Sequence, residues 1–232
     1  MRPISEIRRE SMGPVIQSYG WCLLTYVCYL IIQKVANRFW VTPYAIFNFC
    51  KDIVLELVVI SVLSVGLSLF YIKLMRRENA TVGEFFRPFG HYGHHLAGML
   101  WRYLWIAIWS LLIVPAIIKW YESIFVPYIL ADCPNVKARK ALRMSKALTN
   151  GHKWEIFLLQ LSIIWPCLVG VLAALICYWY GLTTISISIL LAVALFVALL
   201  FFHFYHAAMA QMYLELRDEA LQRQILAVED FQ

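Results

Sequence analysis

Five of the six histidines occur in two short groups whose spacing suits metal chemistry. The sequence HYGHH places His91, His94 and His95 close together, and His203 and His206 are one helical turn apart. Two imidazoles on one face of a helix can share a metal ion. No acidic residue adjoins either group and the HExxH pattern is absent, so we predict no metal and no cofactor. An intramembrane metal-dependent enzyme is accordingly the least favoured function.

Three ionisable residues stand in apolar surroundings and could form a polar site within a membrane. Glu56 lies near the start of an apolar run, where an unpaired carboxylate is costly, and Lys119 and Glu122 are spaced to pair across one helical turn. Together they could line the cavity of a small transporter or exporter component. The simpler interpretation is that Glu56 joins Lys51 and Asp52 in an interfacial network and that Lys119 and Glu122 neutralise each other.

A cluster of cations predicts an amphipathic helix over residues 135–149. Apolar or small residues recur there at helical intervals and cations occupy the other positions. The cations are Lys137, Arg139, Lys140, Arg143 and Lys146, and the apolar or small residues are Ala138, Ala141, Leu142, Ser145 and Leu148. In the inner membrane interface each cation near an anionic leaflet contributes about 1 kcal/mol before screening.

The same segment carries start and stop signals. Asp132 or Asn135 can cap the start of the helix, Pro134 fits a first turn, and Gly151 can supply a left-handed stop. Such a helix either anchors and orients the fold, which is the simpler interpretation, or offers a docking surface for lipid or a membrane partner.

The overall composition identifies the solvent in which these elements must fold. The chain is 62% hydrophobic and 15% charged, with a mean hydropathy of +0.70, which is too apolar for one water-exposed core. Lys and Arg number 20 against 14 acidic residues, which favours contact with anionic lipid headgroups over nucleic acid. We therefore expect residues 1–232 to form a single integral membrane domain.

Runs of about twenty apolar residues are long enough to cross a bilayer as helices. They predict an all-α, polytopic transmembrane helical bundle of about six membrane helices plus the basic interfacial helix. The predicted spans are residues 15–32, 53–74, 96–118, 120–131 (short or re-entrant), 154–178 and 184–205, followed by a cytoplasmic tail at 207–232. Pro115 and the Lys119 and Glu122 pair mark the break between the third and fourth spans.

The distribution of cations predicts the orientation of the bundle. Residues 119–153 and 73–102 are rich in Lys and Arg, so the positive-inside rule assigns both segments to the cytoplasm. Counting spans outward from these segments places both termini in the cytoplasm. The segment 34–51 fits least well, because it carries three cations on the expected outer side.

The segment from LWIAIWSLLIVPAIIKWYESIFVPYILADCPNVKARKALRMSKALTNGHKW onward resembles the bacterial integral membrane proteins of the domain of unknown function 975 family. The resemblance covers residues 104–165 and, around Tyr213, residues 207–216. It departs from the family pattern at Ala116, Cys133 and Met212, where Gly, Asn and Phe are expected. The matching positions are Pro115, Tyr128, Asp132, Pro134, Ala141, Leu142, Ser145, Gly151, Lys153, Leu161 and Ser162. The resemblance implies a six-helix protein of the bacterial inner membrane without implying a reaction.

These observations favour a non-enzymatic polytopic membrane protein. We expect an accessory or scaffold factor that contacts anionic lipid, or another membrane protein, through its basic cytoplasmic face. A small transporter or exporter component is the second hypothesis.

Overall fold

The computed structural model describes residues 3–38, 47–48, 53–179 and 184–227, and within those ranges the chain is helical and contains no strand. The predicted all-α class is confirmed. The helices are α1 (Ile4–Gln17), α2 (Tyr19–Arg38), a π-helical turn (Glu56–Ile60) leading into α3 (Ser61–Met75), α4 (Val82–Phe86), a 3-10 turn (Arg87–His91), α5 (Tyr92–Trp109), α6 (Ile113–Glu122), α7 (Val126–Asp132), α8 (Ala138–Thr149), α9 (Lys153–Trp179) and α10 (Thr184–Gln222).

Two helical segments among the described residues are long and apolar enough to cross a membrane, Ile53–Met75 and Ile113–Asp132. A third span results if Ile4–Gln17 and Tyr19–Val35 count as one broken segment. The predicted span at 53–74 therefore matches one candidate helix to within a residue. The six spans inferred from the sequence stay a prediction.

The first predicted span, residues 15–32, is not one helix. The chain bends by 86° between α1 and α2, and Ser18 lies at the bend with φ −110° and ψ 25°. Pro14 lies inside α1, where it cannot donate a backbone hydrogen bond. Gly13, Pro14 and Gly20 surround the bend, and residues of low helix propensity are where helices commonly kink.

The predicted boundary between the third and fourth spans is also wrong. The helix breaks at residues 110–112, and Pro115 is the third residue of α6. The first four N–H groups of a helix have no intrahelical acceptor, so a proline there loses no hydrogen bond. The predicted spans 96–118 and 120–131 thus become α5, which ends at Trp109, and the candidate span Ile113–Asp132.

Helices α3 and α10 form the centre of the bundle. Helix α3 packs against α1, α4, α5, α7 and α10, while α10 also packs against α1, α8 and α9. The last helix runs on to Gln222, well past residue 205, where the sixth predicted span ends. The largest fully buried side chains include Phe70, Tyr71, Phe85, Phe125 and Tyr213, which fill the space between these helices.

Gly66 permits the close approach of α4 to the middle of α3. A Cβ atom at Gly66 would meet the carbonyl oxygen of Phe85, a backbone atom that cannot rotate away. We expect Gly66→Ala to lower the stability of the full chain in detergent micelles by about 1–3 kcal/mol, as overpacking of a tight core does. Thermal unfolding checks this.

Gly13→Ala is the matched control, because within the described part of the chain nothing lies within 4 Å of a Cβ at this helical position. Alanine should there maintain or raise the melting temperature through its better helix propensity. Equal losses from the two substitutions would contradict the steric account.

Candidate functional site

Helix α8 is amphipathic, as predicted, although it begins at Ala138, three residues later than expected. Its buried face consists of Ala141, Met144, Ser145, Leu148 and Thr149. Among the five cations, Lys137, Arg139, Arg143 and Lys146 are exposed and Lys140 is half-buried. The prediction missed Met144 on the buried face, and it placed Ala138 and Leu142, which are half-buried, among the apolar residues.

The stop signal of this helix is confirmed and its start signal is wrong. Gly151 adopts φ +87°, a left-handed conformation that glycine enters without strain. At the other end Lys137 is the N-cap residue, and no side chain caps the helix. Asp132 and Asn135 therefore lack the predicted capping role. The carboxylate of Asp132 is engaged elsewhere.

Ser145 hydrogen-bonds the backbone at the break between α6 and α7. Its hydroxyl donates to the carbonyl oxygen of Glu122 at 2.7 Å and accepts from the backbone N–H of Phe125 at 3.3 Å. Helix breaks expose backbone groups that must find partners when buried. One side chain of α8 thus satisfies two such groups and fixes α8 against the candidate span.

Asp132 joins three helices through its carboxylate, whose side chain is only 8% exposed. Arg76 Nη2, just after α3, lies 2.8 Å from Oδ1, and Arg217 Nη1 of α10 lies 2.8 Å from Oδ2. The hydroxyl of Tyr213 donates to the same Oδ2 at 3.1 Å. Burial, with the charge of Asp132 nearby, raises the pKa of Tyr213 well above its usual value, so its phenol stays a donor.

Glu122 carries the predicted pair with Lys119 and a second pair that the sequence did not reveal. Lys119 Nζ lies 2.7 Å from Oε2, and Lys153 Nζ, at the start of α9, lies 2.9 Å from Oε1. Both carboxylate oxygens are therefore neutralised by cations. This arrangement favours a structural role for Lys119 and Glu122 over the lining of a transport pathway.

Glu56, the other residue of the predicted polar membrane site, begins the π-helical turn Glu56–Ile60. Its side chain, together with Lys51 and Asp52, lies outside the described residues. The predicted interfacial network stays a prediction.

The histidines form contacts with neighbouring residues of the bundle. His203 Nδ1 lies 2.7 Å from the hydroxyl of Tyr71, and the ring of His206 stacks on Tyr71 with centroids 5.5 Å apart. His94 Nε2 donates to the carbonyl oxygen of Val136 at 2.7 Å. Among the described side chains there is no group of three His, Cys, Asp or Glu residues arranged to hold a metal ion.

Arg102 is a buried cation that the sequence interpretation treated only as a flanking charge. Its guanidinium lies 5.4 Å from the ring centre of Trp120 and 5.8 Å from that of Tyr103, and its Nε donates to Ser123 Oγ at 3.4 Å. Its position inside the apolar run 96–118 was the available signal, because a cation there must turn toward protein.

Two grooves meet along one face of α5. The first has a volume of about 490 Å³ and is apolar, with walls from Leu57, Leu100, Leu104 and Ala107. The second, of about 460 Å³, is lined by four of the predicted cations, Lys137, Arg139, Lys140 and Arg143. Ala97 and Trp101 line both grooves, so the apolar and basic surfaces are continuous.

Arg139 is fixed at the junction of these grooves. Its guanidinium lies 4.8 Å from the ring centre of Trp101, which is a cation–π contact. Because this contact already orients the exposed cation, little side-chain entropy is lost when a ligand binds it. The joined grooves can receive an amphiphile whose polar end is anionic.

Glu84 links α4 to the end of α3 on the opposite side of α5. Its carboxylate lies 2.9 Å from Lys73 Nζ and 3.4 Å from Arg87 Nη1. Burial alone would raise the pKa of Glu84, but the hydrogen bonds and charges of Lys73 and Arg87 outweigh it and hold that pKa below its usual value. Glu84 is therefore ionised at neutral pH.

Asp132→Asn tests the three-helix junction. Asparagine keeps the shape but leaves Arg76 and Arg217 without a counter-charge, so we expect a loss of about 2 kcal/mol. For a chain of this size that corresponds to roughly 4–8 °C in melting temperature, measured on the full chain in detergent micelles.

Glu84→Gln is the control, because one of its partners, Arg87, is 67% exposed and the pair is well solvated. Its loss should stay at about 1 kcal/mol or below. An unchanged melting temperature for Asp132→Asn would show that the junction contributes nothing to stability.

Comparisons with curated proteins and with solved structures find no match. A family model described as Protein of unknown function (DUF975) matches residues 98–219, which is more than half of the 232 residues. The matched segment contains Trp101, Asp132, the whole of α8 and the Glu122 pairs. The resemblance inferred from the motif residues is confirmed, and the chain belongs to the family Protein of unknown function (DUF975).

Proposed function

We propose that this chain is a multi-pass, non-enzymatic membrane protein that binds anionic phospholipid along α8 and acts as an accessory or scaffold factor. In this proposal the basic helix and both termini lie on the cytoplasmic side of a bacterial inner membrane. The proposal rests on one observation above all, the continuity of an apolar groove with a basic one at Ala97 and Trp101.

A bilayer environment is supported by the side chains that the bundle leaves uncovered. Leu104 and Ile108 of α5 are 52% and 54% exposed, and Trp165 and Trp179 of α9 are 61% and 87% exposed. Large apolar side chains exposed in such numbers would be unfavourable in water, because each loses the stabilisation that burial gives. Hydrocarbon around these residues removes that penalty.

The groove pair matches the two ends of a phospholipid. Leu57, Leu100 and Leu104 offer an acyl chain an apolar wall, and the basic groove begins where that wall ends. Each cation within reach of an anionic headgroup contributes about 1 kcal/mol before screening, so four of them favour anionic over zwitterionic lipid. No reacting group is needed for this role.

The positions of the helix ends support the proposed orientation. Met75 and Asp132 end the two candidate spans, and the bridge from Arg76 to Asp132 brings those ends together. The basic helix α8 follows directly after Asp132, so the cations after α3 and those of α8 belong to one face of the bundle. The positive-inside rule favours the cytoplasm for that face.

The double substitution Arg139→Gln with Arg143→Gln tests lipid binding. We expect it to weaken the binding of phosphatidylglycerol by at least about tenfold, since two cations near the headgroup are removed. Binding of phosphatidylcholine should change little. Native mass spectrometry of the full chain, titrated with each lipid in detergent, measures both affinities.

Arg8→Gln with Arg9→Gln is the matched control, because it removes two exposed cations of α1 that line neither groove. Ala97→Phe supplies a second variant that fills the junction of the grooves without altering charge, and it should weaken the lipid as well. If the control pair lowers phosphatidylglycerol binding as much as Arg139 and Arg143 do, the binding reflects net charge and the proposed site is wrong.

The orientation has its own test in cysteine labelling. Lys146→Cys on exposed α8 should react with a membrane-impermeant maleimide in inverted vesicles and stay unlabelled in intact cells. Leu111→Cys should show the opposite pattern, because α5 has 18 residues, is about 27 Å long, and carries Leu111 past its far end. Signal from the native cysteines is measured on the unaltered chain, and labelling of Lys146→Cys from outside would reverse the orientation.

A further inference from the structure

A cavity of about 260 Å³, separate from the two grooves, lies on the side of α5 that faces α3 and α7. It is lined by the C-terminal end of α3, the 3-10 turn, the start of α5 and the end of α7. Six of its lining residues carry ionisable side chains: Lys73, Arg76, Arg87, His91, His95 and Asp132. None of them lines either groove beside α8.

The cavity carries an excess of positive charge. Lys73 and Arg87 share the single carboxylate of Glu84, and Arg76 shares Asp132 with Arg217. The three lining cations, Lys73, Arg76 and Arg87, thus outnumber the two carboxylates that they contact, Glu84 and Asp132. Each guanidinium has five N–H donors and an ammonium has three, so the ion pairs leave donors available at Lys73, Arg76 and Arg87.

His95 adds a polar atom that has no partner. The residue is 3% exposed, and its Nδ1 lacks a hydrogen-bond partner among the residues that the structure describes. Burial, with His94 and His91 nearby, lowers the pKa of His95 to about 4, so the ring is neutral at neutral pH. A buried nitrogen without a partner is unfavourable, and a ligand in the cavity could supply the missing hydrogen bond.

We propose that this cavity binds a phosphate group, with Lys73, Arg76 and Arg87 contacting its anionic oxygens and His95 supplying a neutral hydrogen bond. Guanidinium groups match phosphate oxygens in pairs, and three cations, two from the end of α3 and one from the 3-10 turn, match the three terminal oxygens of a phosphomonoester. Three cationic side chains match the oxygens of a phosphomonoester dianion better than the two oxygens of a carboxylate.

Volume and position limit the source of the phosphate. The cavity holds the equivalent of about nine waters at ~30 Å³ each, which suits a phosphate with a short substituent and excludes a whole lipid. It lies where both candidate spans end, at Met75 and Asp132. The shared chemistry is a phosphomonoester, carried either by a lipid headgroup with its acyl chains outside the cavity or by soluble phosphate.

The test uses the full chain in detergent with two probes, inorganic phosphate and dihexanoyl phosphatidic acid, each titrated at constant ionic strength against chloride. Saturable stabilisation in thermal unfolding gives the affinity. The unaltered chain should bind at least one probe below about 10 mM. Tighter binding of the lipid by about tenfold or more identifies a headgroup, and equal binding identifies free phosphate.

Arg87→Gln is the decisive variant, because its side chain is 67% exposed and its removal leaves Glu84 paired with Lys73. It should weaken binding of the probe by about tenfold, the effect of losing one charge-assisted contact. Arg77→Gln removes a neighbouring exposed cation that does not line the cavity and should change the affinity by less than about twofold. Lys73→Met gives a second test of the same pocket.

Arg139→Gln separates this site from the grooves beside α8. It should leave phosphate affinity unchanged even where it lowers phosphatidylglycerol binding, so each site can fail without the other. The proposal is overturned if the unaltered chain binds neither probe, or if Arg87→Gln binds as tightly as the unaltered chain.

Discussion

The carboxylate of Asp132 is the interaction on which the rest of the bundle depends. It receives Arg76 from the end of α3 and Arg217 from α10, each at 2.8 Å, while its own backbone ends the candidate span Ile113–Asp132. The side chain of Asp132 is 8% exposed, so its two ion pairs lie where solvent screening is weak. A buried ion pair need not stabilise more than an apolar contact would, but it fixes one arrangement, because an unpaired charge there is far more costly.

That junction determines where the functional surfaces lie. With the ends of both candidate spans held at one level, the chain leaves Asp132 and enters α8 within six residues. Ser145 then hydrogen-bonds two backbone groups at the helix break between α6 and α7, which sets the rotation of α8 about its axis. The cations on the other face of α8 are thereby directed to solvent and toward Trp101. A shift of α8 by one residue would bury Lys146 in place of Ser145.

Local periodicity was readable from the sequence and distant pairing was not. The amphipathic face of α8, the stop at Gly151 and the Lys119–Glu122 pair all depend on residues within a few positions, which helix geometry relates directly. Asp132 pairs with residues 56 and 85 positions away, and no spacing rule reaches that far. Pro115 was misjudged because a proline that starts a helix and one that ends it look the same in an apolar run.

Helix α5 separates the two proposed anion sites, and its geometry explains why they differ. His95 and Ala97 are two positions apart, so they project about 200° from each other around the helix axis. His95 lines the small charged cavity against α3 and α7, while Ala97 lines the open grooves against α8. The charged cavity suits the proposed phosphate group, and the wider grooves suit a headgroup with its acyl chain. Both lie near the N-terminal half of α5, at the level where the candidate spans end, so the same plane of phosphates at the edge of a bilayer would serve the two sites at once.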